Sequence, residues 1–111
     1  MPEIPQPTVR ITRYEVSCLP EDDINAAAFT LTVEYRGNGK WAVCRRGSCL
    51  SADGKWDYEP SSSNRSDEWL SSHRFDLDTA LRLAREAAPK VRVNGYTVAD
   101  ALATAQEPTR G

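Results

Sequence analysis

The sequence predicts an α+β fold: a small antiparallel sheet of four to six short strands, packed by one main helix, with a short helix near the C-terminus. Three observations carry this. Phe29, Leu31, Val33 and Tyr35 alternate with Thr30, Thr32, Glu34 and Arg36, which is the period-two pattern of a half-buried strand. Turn residues recur at Gly37-Asn38-Gly39, Gly47-Ser48 and Ala52-Asp53-Gly54, a spacing that suits a meander of short strands. Leu77, Ala80, Leu81, Ala84 and Ala88 fall on one stripe between Asp76 and Pro89, as in an amphipathic helix that covers a sheet.

The elements follow in order. Three prolines in residues 1–7 imply an extended, flexible arm. Thr8 to Cys18 reads as a first strand whose apolar phase changes between Ile11 and Tyr14, the mark of a bulge or bend. Pro20-Glu21-Asp22-Asp23 is a polar turn, and an aspartate there can cap one helical turn through Ile24 and Ala26. The strand containing Phe29 to Arg36 then turns at Gly37-Asn38-Gly39, whose residues tolerate positive φ. Lys40 to Arg46 returns with Trp41 and Val43 on one face. Cys49-Leu50 and Lys55 to Glu59 complete the meander. Residues 60–66 are polar and serine-rich, a loop composition. Trp69 to Phe75 reads as an extended return strand, with a helical turn as the competing reading.

Asp76 is a suitable cap for the main helix, which runs from Leu77 to Ala88 and stops at Pro89. Val91-Arg92-Val93 is a short strand and Asn94-Gly95 a turn. Thr97-Val98-Ala99-Asp100 resembles a capping box, which starts a last helix over Val98 to Ala103. The expected organisation is an arm over 1–7, one domain over 8–104 and a flexible tail over 105–111.

Composition bounds the function. The chain has 111 residues, a net charge of −2 and 27% charged residues. A domain of this length buries roughly 65% of its unfolded surface, enough for one core. The charge balance disfavours nonspecific nucleic-acid binding, which needs many phosphate-neutralising cations. No run of about 18 apolar residues reads as a membrane span. The N-terminal residues lack the basic-then-apolar order of a signal peptide. The expected location is therefore the cytoplasm.

Few residues point to chemistry. The three cysteines, Cys18, Cys44 and Cys49, read as reduced thiols in a reducing compartment. A Cys44–Cys49 disulfide across the turn is an alternative, and Cys18, Cys44, Cys49 and His73 as zinc ligands a third, although their spacing lacks the paired motif of structural zinc sites. His73 is the only histidine. A dyad with Cys44 or Cys49 has no local signature, and Ser71 and Ser72 are adjacent and so would lie on opposite sides of a strand. Asp57, Glu59, Asp67 and Glu68 read as a solvated acidic rim rather than a carboxylate pair in a cleft. Gly37-Asn38-Gly39 is not followed by a helix and so is not a phosphate loop. The expectation is a protein without catalytic activity or cofactor.

Charge and aromatic placement point instead to docking. Arg36, Lys40, Arg45 and Arg46 form a basic cluster, while residues 53–78 hold seven acids against three bases. One basic and one acidic edge suit charge-complementary binding. Three tryptophans exceed what so small a core needs, so one is expected to serve as an exposed anchor. The candidate partner-binding residues are Trp56, Tyr58, Asp67, Glu68 and Trp69, and the expected partner is a protein. The alternative is DNA binding through Arg36, Lys40, Arg45 and Arg46.

The runs Gly39-Lys40-Trp41-Ala42-Val43, Gly54-Lys55-Trp56-Asp57-Tyr58-Glu59-Pro60, Asp67-Glu68-Trp69-Leu70 and Arg74-Phe75-Asp76-Leu77-Asp78-Thr79-Ala80-Leu81 resemble small proteins of actinobacteria and their phages. The resemblance covers about residues 28–103 and implies an accessory protein of a phage or prophage. Gly39-Lys40-Trp41 and Phe75-Asp76-Leu77-Asp78-Thr79-Ala80 are also similar to the outline of AP2-like DNA-binding domains of phage integrases. Those use a strongly basic three-stranded sheet, where this chain has Asp53, Asp57 and Glu59.

Overall fold

The structure is a computed structural model that describes residues 3–106. Its centre is a five-stranded antiparallel sheet in simple meander order, β1 (Arg13–Val16), β2 (Leu31–Gly37), β3 (Lys40–Arg45), β4 (Ser48–Leu50) and β5 (Trp56–Tyr58). Three helices follow the pattern α1 (Asp67–His73), α2 (Leu77–Ala87) and α3 (Val98–Gln106). A separate two-stranded ribbon, β6 (Arg92–Val93) with β7 (Tyr96–Thr97), precedes α3. The fold is α+β, with α2 as the main helix and α3 as the short C-terminal one. Among the described residues, no helix is long and apolar enough to cross a membrane.

The strongest periodic segment behaves as its pattern dictates. Leu31 and Val33 point into the core and are fully buried. On β3, Val43 stands opposite Val33 and Trp41 opposite Tyr35. Helix α2 lies over this face with Ala80, Leu83 and Ala84 buried. Its alanines let the helix axis approach the sheet closely. Trp41 is the hub of an aromatic group, with Tyr14 and Tyr35 at 5.7 and 5.2 Å between ring centroids. Both Trp41 backbone groups also bond Phe75, at 2.7 and 2.9 Å. Phe75 thereby occupies the flank of β3 that the shorter β4 leaves uncovered.

Several boundaries differ from expectation. Only Arg13–Val16 of the first segment is strand; residues 3–12 have no regular structure, and Val9 and Ile11 are exposed. Phe29 ends a 3₁₀ turn over Ala26–Phe29 instead of starting β2, because Thr30 Oγ1 bonds the Ala26 carbonyl at 2.6 Å and closes that turn. Helix α2 ends one residue early and passes into a 3₁₀ turn over Ala88–Lys90 at Pro89. Asp76 holds the cap position, but its side chain bonds no helix amide. The capping box of α3 is formed, with Thr97 N–H on Asp100 Oδ2 at 2.9 Å and Asp100 N–H on Thr97 Oγ1 at 3.1 Å. Residues 105 and 106 of the expected tail belong to α3; residues 107–111 and 1–2 lie outside the described residues.

The largest correction concerns Trp69 to Phe75. This segment is helix α1 up to His73 and only then extended. Ser66 caps it by accepting from Trp69 N–H at 3.1 Å. Asp67 and Glu68 occupy its first turn, where the helix dipole favours negative charge. Trp69 and His73 are one helical turn apart and stack at 4.2 Å with planes 4° apart, a contact that a strand could not make.

Candidate functional site

The two faces of the sheet carry different chemistry. Side chains alternate across a strand, so Thr32, Glu34 and Arg36 of β2 point away from the α2 side, as do Ala42 and Cys44 of β3 and Cys49 of β4. This second face is covered at its centre by α1, whose Trp69 packs against Ala42, Cys44 and Cys49. Around that small apolar centre runs a network of charges.

Glu59 is the hub of the network. Arg36 forks onto it, Nε to Oε2 at 3.2 Å and Nη2 to Oε1 at 3.1 Å. Arg74 reaches Oε2 at 2.8 Å and Arg65 lies 3.6 Å from it. Three guanidinium groups thus converge on one carboxylate, whose side chain is 17% exposed. Burial pushes the Glu59 carboxyl up, but the bonds and charges of Arg36, with help from Cys49 and Arg74, outweigh it and hold the group at about 2. Arg36 also donates to Glu34 Oε1 at 3.2 Å. The hydroxyl bond from Thr32, opposed by burial and aided by Arg36, lowers the Glu34 carboxyl.

The cysteine pair sits inside this ring. Cys44 and Cys49 face each other across β3 and β4, with sulfurs 3.7 Å apart. Both are free thiols. Their mutual hydrogen bond and burial push Cys44 up, and the same bond, outweighing burial, brings Cys49 down. Cys18 is exposed and stands apart from them. Among the described residues no three His, Cys, Asp or Glu side chains are grouped to hold a metal ion. The zinc set Cys18, Cys44, Cys49 and His73 is therefore not assembled, since His73 is directed at a carboxylate instead.

His73 is buried, and its Nε2 lies 2.7 Å from Asp57 Oδ2. Its Nδ1 lies 2.7 Å from the Trp69 carbonyl and 2.8 Å from Ser72 Oγ. Ser72 Oγ in turn donates to the Glu68 and Trp69 carbonyls at 3.1 and 3.0 Å. Serine, histidine and aspartate are thus in line, yet both ring nitrogens and the hydroxyl are engaged by α1 and β5. The trio ties the helix to the strand. It does not form the dyad of His73 with Cys44 or Cys49. Of the acids expected in a solvated rim, Asp57 stays exposed while bonding His73, whereas Glu59 is partly buried at the hub of the arginine network.

Trp56 and Tyr58 lie on the other side. Leu50↔Trp56 and Ser48↔Tyr58 share a face, whereas Cys49↔Asp57 shares the opposite one. The expected contact surface therefore divides. Trp56 and Tyr58, 38% and 78% exposed, stand on one side of β5. Trp69 is packed beneath the other, stacked on His73, with the Arg74 guanidinium 5.1 Å from the indole centroid. Asp67 and Glu68 are exposed in the first turn of α1.

The edge itself has a defined polarity. Glu59 N–H bonds the Gly47 carbonyl at 3.0 Å and Ser51 N–H the Lys55 carbonyl at 2.8 Å. Antiparallel bonding alternates between facing pairs, so Cys49 and Asp57 are the next bonded pair. The backbone N–H and C=O groups of Trp56 and Tyr58 consequently point away from β4. With β5 last in the sheet order, they form its open margin.

Of the four cations of the DNA-binding alternative, Arg36, Arg45 and Arg46 line one groove and Lys40 does not. Arg36 is occupied by Glu59 and Glu34, and Arg45 donates to the Ala28 carbonyl at 3.1 Å. Lys40 and Arg46 sit at turns at opposite ends of β3. That groove, of about 920 Å³, runs along the polar face, and four arginines and four glutamates line it. Its lining charges cancel, unlike a phosphate-binding surface.

No known protein family, curated protein or solved structure matches the chain.

Proposed function

We propose that this domain is a non-enzymatic protein-binding module that takes an extended segment of a partner at the open edge of β5. One observation carries this reading. The outward backbone groups of Trp56 and Tyr58 coincide with two exposed aromatic side chains on a three-residue edge strand. Strand addition uses such a margin. Backbone hydrogen bonds supply affinity, and alternate side chains of the incoming segment supply specificity. Here Trp56 and Tyr58 would pack against those alternate side chains. Open edge strands are normally short and shielded by charge or proline; β5 is short and carries Asp57, and its outer margin adds two exposed aromatic side chains. An accessory role in a phage or prophage, as the sequence resemblance implies, belongs to this proposal.

The test is direct. Peptides selected against the domain from a random library are titrated into isotope-labelled protein. The amides of residues 56–58 and the Trp56 indole should shift first, and Tyr58→Ser should weaken binding at least tenfold while leaving the melting temperature unchanged. Selected peptides that bind Tyr58→Ser as well as the parent, or that shift only residues of the polar groove, would refute the reading.

A further inference from the structure

We infer that Cys44 and Cys49 form a reversible oxidation site, a dithiol that a hydroperoxide converts to an intramolecular disulfide without rearrangement of the sheet. The register makes this possible. Arg46 and Gly47 turn the chain with φ of 50° and 79°, the two-residue hairpin geometry that matches strand twist. That turn places Cys44 directly opposite Cys49. Cys49 spends its backbone bonds on Asp57 of β5, so its pairing with Cys44 is of the non-hydrogen-bonded kind. Such pairs stand closest, with Cα atoms about 4.5 Å apart. This lies at the near end of the separation a disulfide spans, roughly 4.4–6.8 Å. The sulfurs are already 3.7 Å apart, so closing the bond asks for side-chain rotation alone.

The surroundings supply access and charge. Cys44 lines the polar groove and keeps a small exposed surface, 7%, whereas Cys49 has none, so Cys44 is the sulfur nearer to solvent. The Arg36 guanidinium lies 3.4 Å from Cys44 Sγ, where its charge offsets a small part of the push upward that this thiol takes from its bond to Cys49 and from burial. The chemistry is then a two-step exchange. A thiolate attacks one oxygen of hydrogen peroxide, the O–O bond breaks, and the departing hydroxide takes up the proton lost from the thiol and leaves as water, giving a sulfenic acid. The second sulfur attacks the first, forms the S–S bond and releases a second water. Two thiols are oxidised, and one hydroperoxide is reduced.

Trypsin provides a clean readout, because Arg45 and Arg46 lie between the cysteines. The reduced full-length protein is treated with hydrogen peroxide, alkylated under denaturing conditions and digested. The expected result is a disulfide-linked pair of peptides, residues 41–45 joined to 47–55. Alkylated cysteines should fall from three to one, and a thiol reductant should restore all three. In a Cys18→Ser protein the same linked peptides should form and alkylated cysteines should fall from two to none. If Cys44 and Cys49 remain alkylatable after Cys18 has been oxidised, or if the only cross-links contain Cys18, the inference is wrong. Over-oxidation of either buried cysteine to sulfinic acid with no linked peptide would overturn it as well.

Discussion

Replacing Glu59 by glutamine tests the charge network most sharply. The variant keeps the side-chain shape and one acceptor oxygen but leaves Arg36, Arg65 and Arg74 converging on a neutral amide. The folded carboxyl is held at about 2, against an ordinary value of 4.5. Each tenfold change in acid strength corresponds to about 1.4 kcal/mol, so the charged form contributes at most about 3 kcal/mol. Arg36 and Arg65 are 24% and 23% exposed, and solvent around them trims this to roughly 2 kcal/mol. Because the folded value lies below the unfolded one, the contribution is complete above pH 4.5 and drains away as pH falls towards 2. Urea unfolding followed by tryptophan fluorescence reads both effects. At pH 7 and a slope of about 1.5 kcal/mol/M, the Glu59→Gln midpoint should drop by roughly 1.3 M. Between pH 5 and 2 the difference between parent and variant should shrink steadily. A variant less than about 0.5 kcal/mol weaker at pH 7, or a difference that stays constant with pH, would refute the assignment of Glu59 as the hub.

Other substitutions probe the scaffold. Leu31→Ala removes a fully buried side chain from between the sheet and α2 and should cost about 3 kcal/mol in the same urea assay. Gly47→Ala should cost about 1 kcal/mol through backbone strain alone, since its φ is +79° and nothing lies within 4 Å of the added methyl. Thr97→Ala removes half of the capping box and should lower stability by about 1 kcal/mol, with faster amide exchange confined to α3.

What could be read from the sequence was what local periodicity encodes. Strands β2 and β3, the turn at Gly37-Asn38-Gly39, helix α2 and the cap at Thr97 each depend on residues within one turn or one hairpin. Helix α1 was encoded too, in Ser66 as cap followed by Asp67 and Glu68 in the first turn, a start signal short enough to leave strand and helical turn both open for this segment. The Glu59 hub left no local trace. Arg36 is 23 positions before it and Arg74 15 after, and only the closed meander brings them together. The split between Trp56 with Tyr58 and Trp69 has the same origin. All three are aromatic and near one another in sequence, and which face each takes depends on the β4–β5 register and on α1 crossing beneath.

Arg36 links the network to the cysteine pair, and this linkage has a measurable consequence. Its guanidinium contacts Glu59 at 3.1 Å and Cys44 Sγ at 3.4 Å. A carboxylate and a thiolate therefore compete for one cation. With Glu59 charged, most of the guanidinium's field is neutralised and the sulfur gains little. In Glu59→Gln the cation is released towards the sulfur, and thiolate is favoured. While the thiol remains mostly protonated, its thiolate fraction rises in direct proportion to its acid strength. Alkylation of Cys44 by a small iodoacetamide-type reagent at neutral pH should therefore be several-fold faster in Glu59→Gln than in the parent. The variant is less stable, so the rate must also prove independent of added urea well below its midpoint, which separates reaction in the folded state from reaction through unfolding. Equal rates in the two proteins under those conditions would mean that Arg36 serves Glu59 alone and that its proximity to Cys44 carries no electrostatic weight.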